Sequence, residues 1–241
     1  MVPDEGGLRK SQGPCILGAV GTTCQGRFSE ENLERQTGLL CPPLMETGMG
    51  VGEHGEVMGR KPATYADLQA LPENVVGELI AGELFVSPRP AVPHAEAGAQ
   101  LVVELKGAFD RGRGGPGGWI ILYEPELHWG EDVLVPDLAG WRRERMPRPP
   151  STAAITLAPD WVCEVLSPST AALDRGVKLP IYAREGVRHV WFVDPVARTL
   201  EVLRLDGVRY TLLVTHTGLA RVRAEPFEAI ELELAFLWGQ G

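Results

Sequence analysis

The stretch Trp161-Val-Cys-Glu-Val-Leu166 decides the fold of this chain, together with the segments that follow it. Its residues are almost all apolar, which predicts a short buried strand. Residues 170–185 have a helical pattern, and Gly186 is the residue expected to end that helix. The next segment, 187–193, is nearly all apolar again and indicates a strand that is buried on both faces.

Elements of the same kind extend outward from this stretch. Two hairpins are predicted, one around Ala81-Gly82 and one around Asp206-Gly207, because short turns of this type join antiparallel strands. The other predicted elements are helices at 64–71 and 94–111, strands at 119–123 and 133–141, and a short strand and helix at 230–238. Their order predicts an α/β (α+β) fold in which a central mixed β-sheet is flanked by helices.

The composition limits the function classes. The chain has 241 residues and a formal net charge of −9. This charge excludes a protein that binds nucleic acid through a broad basic surface. Its apolar runs are much shorter than the ~18 residues of a membrane helix, and no secretory signal is recognisable. We therefore expect a cytoplasmic protein without a membrane partner. The four cysteines form no Cys-x-x-Cys pair, so we expect free thiols.

Residues 1–60 differ from the rest of the chain. They contain 12 of the 29 glycines and four of the five methionines, but no tryptophan. No helical or strand period persists in them, as is typical of a segment without a core. We expect 1–60 to be a disordered extension, or a translated upstream region that the natural protein lacks, and 61–241 to be the folded domain.

Two carboxylates interrupt predicted apolar strands. Asp137 follows Pro136, and Glu164 lies within 161–166. An unpaired buried carboxylate is costly, and two on neighbouring strands would also repel each other. A divalent cation relieves both problems, and hard oxygen ligands favour Mg²⁺.

A predicted helix supplies further polar groups. Asp174, Lys178 and Tyr182 follow one another at four-residue intervals, so they share one helix face. A metal ion and a lysine together suffice to hydrolyse a phosphodiester, because the metal lowers the pKa of a bound water and the ammonium stabilises negative charge. The simpler interpretations are a surface Asp174–Lys178 ion pair and a Glu164 that pairs with an arginine.

These residues resemble the PD-(D/E)xK nuclease superfamily, and more closely its Uma-type restriction-endonuclease-like family. The similarity extends over 63–240, and the motifs that carry it are Glu78-Leu-Ile-Ala-Gly-Glu83-Leu, His94, Val135-Pro-Asp137, Glu164-Val-Leu-Ser-Pro-Ser-Thr170, Asp174 with Lys178 and Tyr182, and Gly186-Val-Arg-His-Val-Trp-Phe-Val-Asp194-Pro.

The resemblance implies a restriction-endonuclease-like core and a Mg²⁺-dependent nuclease site, with Mn²⁺ as a substitute. Asp137 and Glu164 would be the acidic ligands, and the carbonyl of Val165 would be a further ligand. The lysine of the superfamily normally lies two residues after the glutamate, where this chain has Leu166. The resemblance therefore implies that Lys178, on the following helix, takes that role. Pro180 could kink this helix and change the direction of the lysine.

Other candidates complete the predicted site. His94, at the start of its helix, is expected either to support the site or to bond a backbone group, and Glu83 is a weaker third carboxylate. Asp174 and Tyr182 are expected to support the metal ligands. An arginine-rich loop after Asp137 is a candidate for phosphate contacts, through Arg142, Arg143 and Arg145.

Two functions remain open at this stage. The first is a metal-dependent endonuclease that acts on nucleic acid, with DNA as the expected partner. The sequence leaves the oligomeric state open, although nucleases of this architecture often form a homodimer to cut both strands. The second is a catalytically inactive nuclease-fold protein that binds or regulates. The acidic net charge favours the second, because duplex binding draws on clustered Lys and Arg. Retention of Asp137, Glu164 and Lys178 favours the first.

Overall fold

The computed structural model describes residues 61–240, so the prediction for 1–60 lies outside the described residues. The strands are β1 Val75–Ile80, β2 Glu83–Pro88, β3 Trp119–Tyr123, β4 Glu126–Trp129, β5 Asp132–Leu134, β6 Leu138–Arg142, β7 Ala154–Ile155, β8 Trp161–Val165, β9 His189–Asp194, β10 Thr199–Asp206, β11 Arg209–Thr217, β12 Arg221–Val222 and β13 Leu232–Glu233. The α-helices are α1 Tyr65–Gln69, α2 Val92–Leu105, α3 Ala171–Leu173, α4 Leu179–Arg184 and α5 Leu234–Leu237. The α/β class predicted from the sequence is confirmed.

Two mixed sheets form the domain, where the sequence predicted one. The first has six strands in the order β11-β10-β9-β8-β6-β3, and only its β8–β9 pair is parallel. The second has five strands in the order β2-β1-β5-β4-β7. Strands β12 and β13 form a separate pair. The hairpins at Ala81-Gly82 and Asp206-Gly207 are present as predicted.

Strand periodicity distributes the core over the two faces of the six-stranded sheet. Along β8, Trp161, Cys163 and Val165 face α2 and α5, where they pack against residues such as Leu101. Val162 instead belongs to the second core, which lies between the two sheets and α4. Glu164 alternates with its neighbours in the same way and shares the face of Val162.

The segment predicted as one strand at 133–141 is two strands in different sheets. Strand β5 ends at Leu134 and β6 begins at Leu138, so Val135–Asp137 carries the chain from one sheet to the other. Pro136 explains the break, because proline has no N–H to donate to a strand partner. The short strand β4 was not predicted, since four residues are too few to establish a pattern.

Both long helical segments contain a wider π-helical turn. Helix α2 continues through Lys106–Asp110, and Asp174–Lys178 joins α3 to α4. Pro180 lies at the beginning of α4, just after the second π-helical turn, where a missing N–H is tolerated. Gly186 ends this helical segment with a positive φ of 75°, as the sequence predicted.

Two further predictions concern membranes and cysteines. In the part of the chain from 61 to 240, no helix has the length and apolar character needed to cross a bilayer. Cys163 is free and buried in β8, whereas the other three cysteines precede residue 61 and lie outside the described residues.

Candidate active site

A cavity of about 320 Å³ opens where the two sheets meet the α3–α4 helical segment. Charged or ionisable side chains from several elements line it: Glu78, Arg89, His94, Glu124, Asp137, Glu164, Asp174 and Lys178. The cavity therefore brings together the three predicted catalytic residues, Asp137, Glu164 and Lys178. Val165, the predicted carbonyl ligand, also lines it.

Asp137 lies on the segment that crosses between the sheets. Its Oδ2 accepts a hydrogen bond from the backbone N–H of Val165 at 2.6 Å. Its Oδ1 lies 3.3 Å from Nε2 of His94 on α2. Asp137 lies outside the strands, after Pro136. These two contacts fix the position of its side chain.

Glu164 is the most buried carboxylate of the cavity, with 2% of its surface exposed. Its Oε1 lies 2.8 Å from Nζ of Lys178 and also accepts a hydrogen bond from the hydroxyl of Tyr182. Burial raises the pKa of the Glu164 carboxyl well above its usual range, and the Lys178 ammonium acts in the opposite direction. This carboxylate is therefore charged only where positive charge accompanies it.

Lys178 comes from the π-helical turn and contacts three carboxylates. Its Nζ lies 2.8 Å from Glu164, 3.0 Å from Glu78 and 3.3 Å from Asp174. Burial acts to lower the pKa of this ammonium, but the carboxylates outweigh burial and hold the pKa well above its usual range. Lys178 thus stays charged inside the protein, and Pro180 does not turn it away from the site.

Glu78 is the site residue that the sequence analysis missed as a candidate, although it begins one of the quoted motifs. It lies on β1, and its Oε1 contacts Lys178 and accepts the backbone N–H of Val135 at 2.8 Å. The sequence contains a pattern that could have identified it. Glu78 is an acid next to the apolar pair Leu79-Ile80, just as Glu164 is an acid within an apolar strand.

His94 is directed toward Asp137 from the first turn of α2. Burial acts to lower the pKa of this imidazole, but the hydrogen bond and charge of Asp137 outweigh it, so the pKa is raised. The alternative prediction was that His94 bonds a backbone group. Nδ1 of His94 has no hydrogen-bond partner among the described residues, so this bond is not formed. Asp174 and Tyr182, both predicted to support the ligands, lie beside Lys178 and Glu164.

The cavity carries an excess of negative charge. Five carboxyl groups and two basic side chains line it, which gives a formal charge of −3 when His94 is neutral. Such an excess in a partly buried site is unfavourable unless protonation or a cation compensates it. The pKa of Asp174 is raised by burial, as is that of Glu164, although Lys178 opposes both shifts.

Comparison with known proteins places the chain in a family. The profile of Uma2, described as "Putative restriction endonuclease", matches residues 62–236. This chain belongs to the Uma2 family. No curated protein matches it. The crystal structure of "a putative nuclease belonging to DUF820" from Anabaena variabilis ATCC 29413 superposes with a TM-score of 0.59 at 22% identity. The match covers 74% of this chain and 99% of that one, and it supports the fold.

Asp137 and Glu164 are the carboxylates of this Uma2 protein that could hold a cation in the cavity. Within residues 61–240, no three His, Cys, Asp or Glu side chains are arranged to hold a metal ion among themselves. Mg²⁺ needs no such cage, because it keeps several waters and binds through one or two carboxylates. Asp137 and Glu164 offer two carboxylates to one cavity, and a cation there would favour the charged form of Glu164.

Glu83 is not part of the site in this Uma2 protein. It follows the turn at Ala81-Gly82, is exposed, and lines a different cavity together with Lys61 and Asp67. Glu83 is paired with Ile80 at the turn end of the hairpin, and only Glu78, two residues further along β1, contacts Lys178. The prediction that Glu83 lies beside Asp137 and Glu164 is therefore wrong.

The predicted phosphate-contact arginines are also placed away from the cavity. Asp137 precedes β6 and Arg142 ends it, so the arginine loop lies at the opposite end of the strand. Arg142 stacks on Trp119, Arg143 pairs with Asp110 and Arg145 pairs with Asp160. The expectation that this loop flanks Asp137 is wrong, because the length of β6 separates them.

Proposed function

We propose that this chain is a Mg²⁺-dependent endonuclease of the PD-(D/E)xK type that hydrolyses phosphodiester bonds of DNA, with Mn²⁺ as an alternative cation. The observation that carries the proposal is the single cavity in which Asp137, Glu164 and Lys178 meet under an excess of negative charge. Membership of a family described as "Putative restriction endonuclease" supports the same class of reaction.

Asp137 and Glu164 would hold the cation, with the carbonyl of Val165 as a further oxygen donor. A bound Mg²⁺ supplies Lewis acidity toward a phosphoryl oxygen and a water of lowered pKa. Lys178 keeps a fixed positive charge 2.8 Å from Glu164, where it can stabilise the negative charge that develops on phosphate oxygens. In the simple motif, the lysine lies two residues after the glutamate, where this chain has the buried Leu166. Lys178 would take the role of that lysine.

The surrounding groups hold this arrangement in place. Glu78 and Asp174 contact the Lys178 ammonium from β1 and from the same π-helical turn. Tyr182 donates its hydroxyl to Glu164, which fixes the orientation of that carboxylate. These supports keep the lysine and the acid in one geometry before a substrate arrives, as preorganised electrostatic catalysis requires.

The test is cleavage of supercoiled plasmid and of circular single-stranded DNA, with Mg²⁺ or Mn²⁺ and with EDTA. The wild type is compared with Asp137→Ala, Glu164→Ala and Lys178→Ala. Glu83→Ala is the matched control, because it removes an acid of the same motif that lies outside the cavity. We expect metal-dependent cleavage by the wild type and the control, and its loss in the three cavity variants.

Two outcomes would overturn the proposal. Equal cleavage by all five proteins would identify a contaminating nuclease. No cleavage by the wild type, together with no Mg²⁺ or Mn²⁺ binding in calorimetry, would favour the inactive binding or regulatory module that the net charge of −9 also suits.

A further inference from the structure

An exposed aromatic side chain stands at the rim of the cavity. Tyr123 ends β3 and pairs with Leu138, the residue that follows Asp137. The next residue, Glu124, lines the cavity and donates its backbone N–H to the carbonyl of Asp137 at 3.0 Å. Glu124 has a positive φ of 45°, so the chain turns sharply here. Tyr123 is thereby held beside the acidic site.

The tyrosine ring is supported on one side and accessible on another. A Cβ placed on Gly98 of α2 would lie 3.6 Å from its Cε2, so the ring rests against the helix one turn beyond His94. Tyr123 nevertheless remains 46% exposed. Burial and the charges of Glu124 and Asp137 raise its pKa to about 12, while Arg89 opposes the shift. The ring is therefore neutral at physiological pH.

Arg89 supplies a cation at the same rim. It follows β2, lines the cavity, and donates one guanidinium N–H to the carbonyl of Glu73 at 2.8 Å. Among residues 61–240, no carboxylate forms an ion pair with it, in contrast to Arg143 and Arg145. Its charge is thus available to an incoming anion.

We propose that Tyr123 and Arg89 form a binding rim for single-stranded DNA, in which one base stacks on Tyr123 and Arg89 contacts a neighbouring phosphate. The inference rests on the proposed nuclease function and names the form of its substrate. A base can stack on an aromatic side chain only when it has left the stack of a duplex. The chain that leaves Tyr123 leads directly to the cavity, so a stacked base lies next to the site where the backbone would be cut.

The electrostatics of the rim also disfavour duplex DNA. Duplex binding usually uses many Lys and Arg contacts to phosphates, whereas this cavity has a formal charge of −3. With one phosphate contact by Arg89, the affinity for a single strand should fall only about 2.6-fold between 50 and 200 mM salt. A protein with six to ten phosphate contacts loses about 10³- to 10⁵-fold over the same range.

The experiment measures fluorescence anisotropy of a labelled, short, mixed-sequence single-stranded DNA and of its duplex. Ca²⁺ replaces Mg²⁺ so that binding is observed without cleavage. Tyr123→Ala should weaken single-strand binding about 5- to 150-fold, the loss of one base–aromatic stack. Tyr123→Phe keeps the ring and should bind as the wild type does. Phe236→Ala, which removes an exposed aromatic of α5, is the control.

The proposal is overturned if the duplex binds as tightly as the single strand, if neither binds, or if Tyr123→Ala has wild-type affinity. A thermal melt of each variant shows that a loss of affinity is not a loss of fold. The two proposals fail separately. If Tyr123→Ala binds with unchanged affinity while metal-dependent cleavage persists, only the proposed binding rim is refuted. If binding depends on the ring but no cleavage occurs, only the proposed nuclease activity is refuted.

Discussion

Replacement of Lys178 by methionine should destabilise the domain strongly. The change keeps an unbranched side chain of similar length but removes the ammonium that lies 2.8, 3.0 and 3.3 Å from Glu164, Glu78 and Asp174. Lys178 is 3% exposed, so water cannot replace it. Removal of one partner from a buried ion pair costs about 3–5 kcal/mol, and we expect a loss of that size in the free energy of unfolding at pH 8.

The loss should shrink as the pH falls. Burial holds the pKa of Glu164 and Asp174 above their ordinary values, and removal of the lysine charge raises both further. The folded variant therefore binds more protons than its unfolded chain, so its stability falls as the pH rises above the ordinary carboxyl range. More of these carboxyls are protonated at pH 5 than at pH 8, so the difference from the wild type should be smaller at pH 5.

The assay is urea unfolding of both proteins in EDTA at pH 5 and pH 8. Lys106→Met is the matched control, because Lys106 pairs with Asp110 at 2.9 Å but is one-third exposed. Lys106→Met should lower the free energy of unfolding by about 1–2 kcal/mol at both pH values. This is the contribution of a partly exposed ion pair and of the hydrogen bond to Ile121. The reasoning is refuted if Lys178→Met destabilises no more than the control at pH 8, or equally at both pH values.

Three further outcomes are expected. Tyr182→Phe removes only the hydroxyl that bonds Glu164 and should lower the free energy of urea unfolding by about 1–3 kcal/mol; an unchanged value would contradict this contact. Leu101→Ala leaves a cavity in the core beneath α2 and should cost about 2–5 kcal/mol by the same measurement. Asp137→Asn should lower the pKa of His94, measured by NMR titration of the ring, because burial is then opposed only by the more weakly acting charges of Asp174 and Glu124; a pKa that does not fall would show that Asp137 is not the cause.

The sequence predicted those parts of the site that depend on local pattern. Glu164 was recognisable because a carboxylate interrupts an apolar strand, and Lys178 because it shares a helical face with Asp174 and Tyr182. The structure brings these groups together as expected. Their catalytic roles stay predictions until cleavage is measured.

The sequence did not reveal what depends on the path of the chain between layers. The apolar run around Pro136 was predicted to be one strand, but in the structure it joins two sheets. The same error placed the arginine loop beside Asp137, because a loop after a short strand is close in sequence but a full strand length away in space. Glu83 was named as a weaker third carboxylate because it ends the hairpin turn, whereas the structure shows that Glu78 is the acid of this hairpin that contacts the lysine.

Two backbone amides beside the cavity would report on whatever binds there. The N–H groups of Val135 and Val165 donate to the carboxylates of Glu78 and Asp137, at 2.8 and 2.6 Å. A cation that draws electron density from either carboxylate weakens the corresponding bond. The chemical shifts and hydrogen-exchange rates of these two amides therefore report occupancy of the cavity, without any need for turnover.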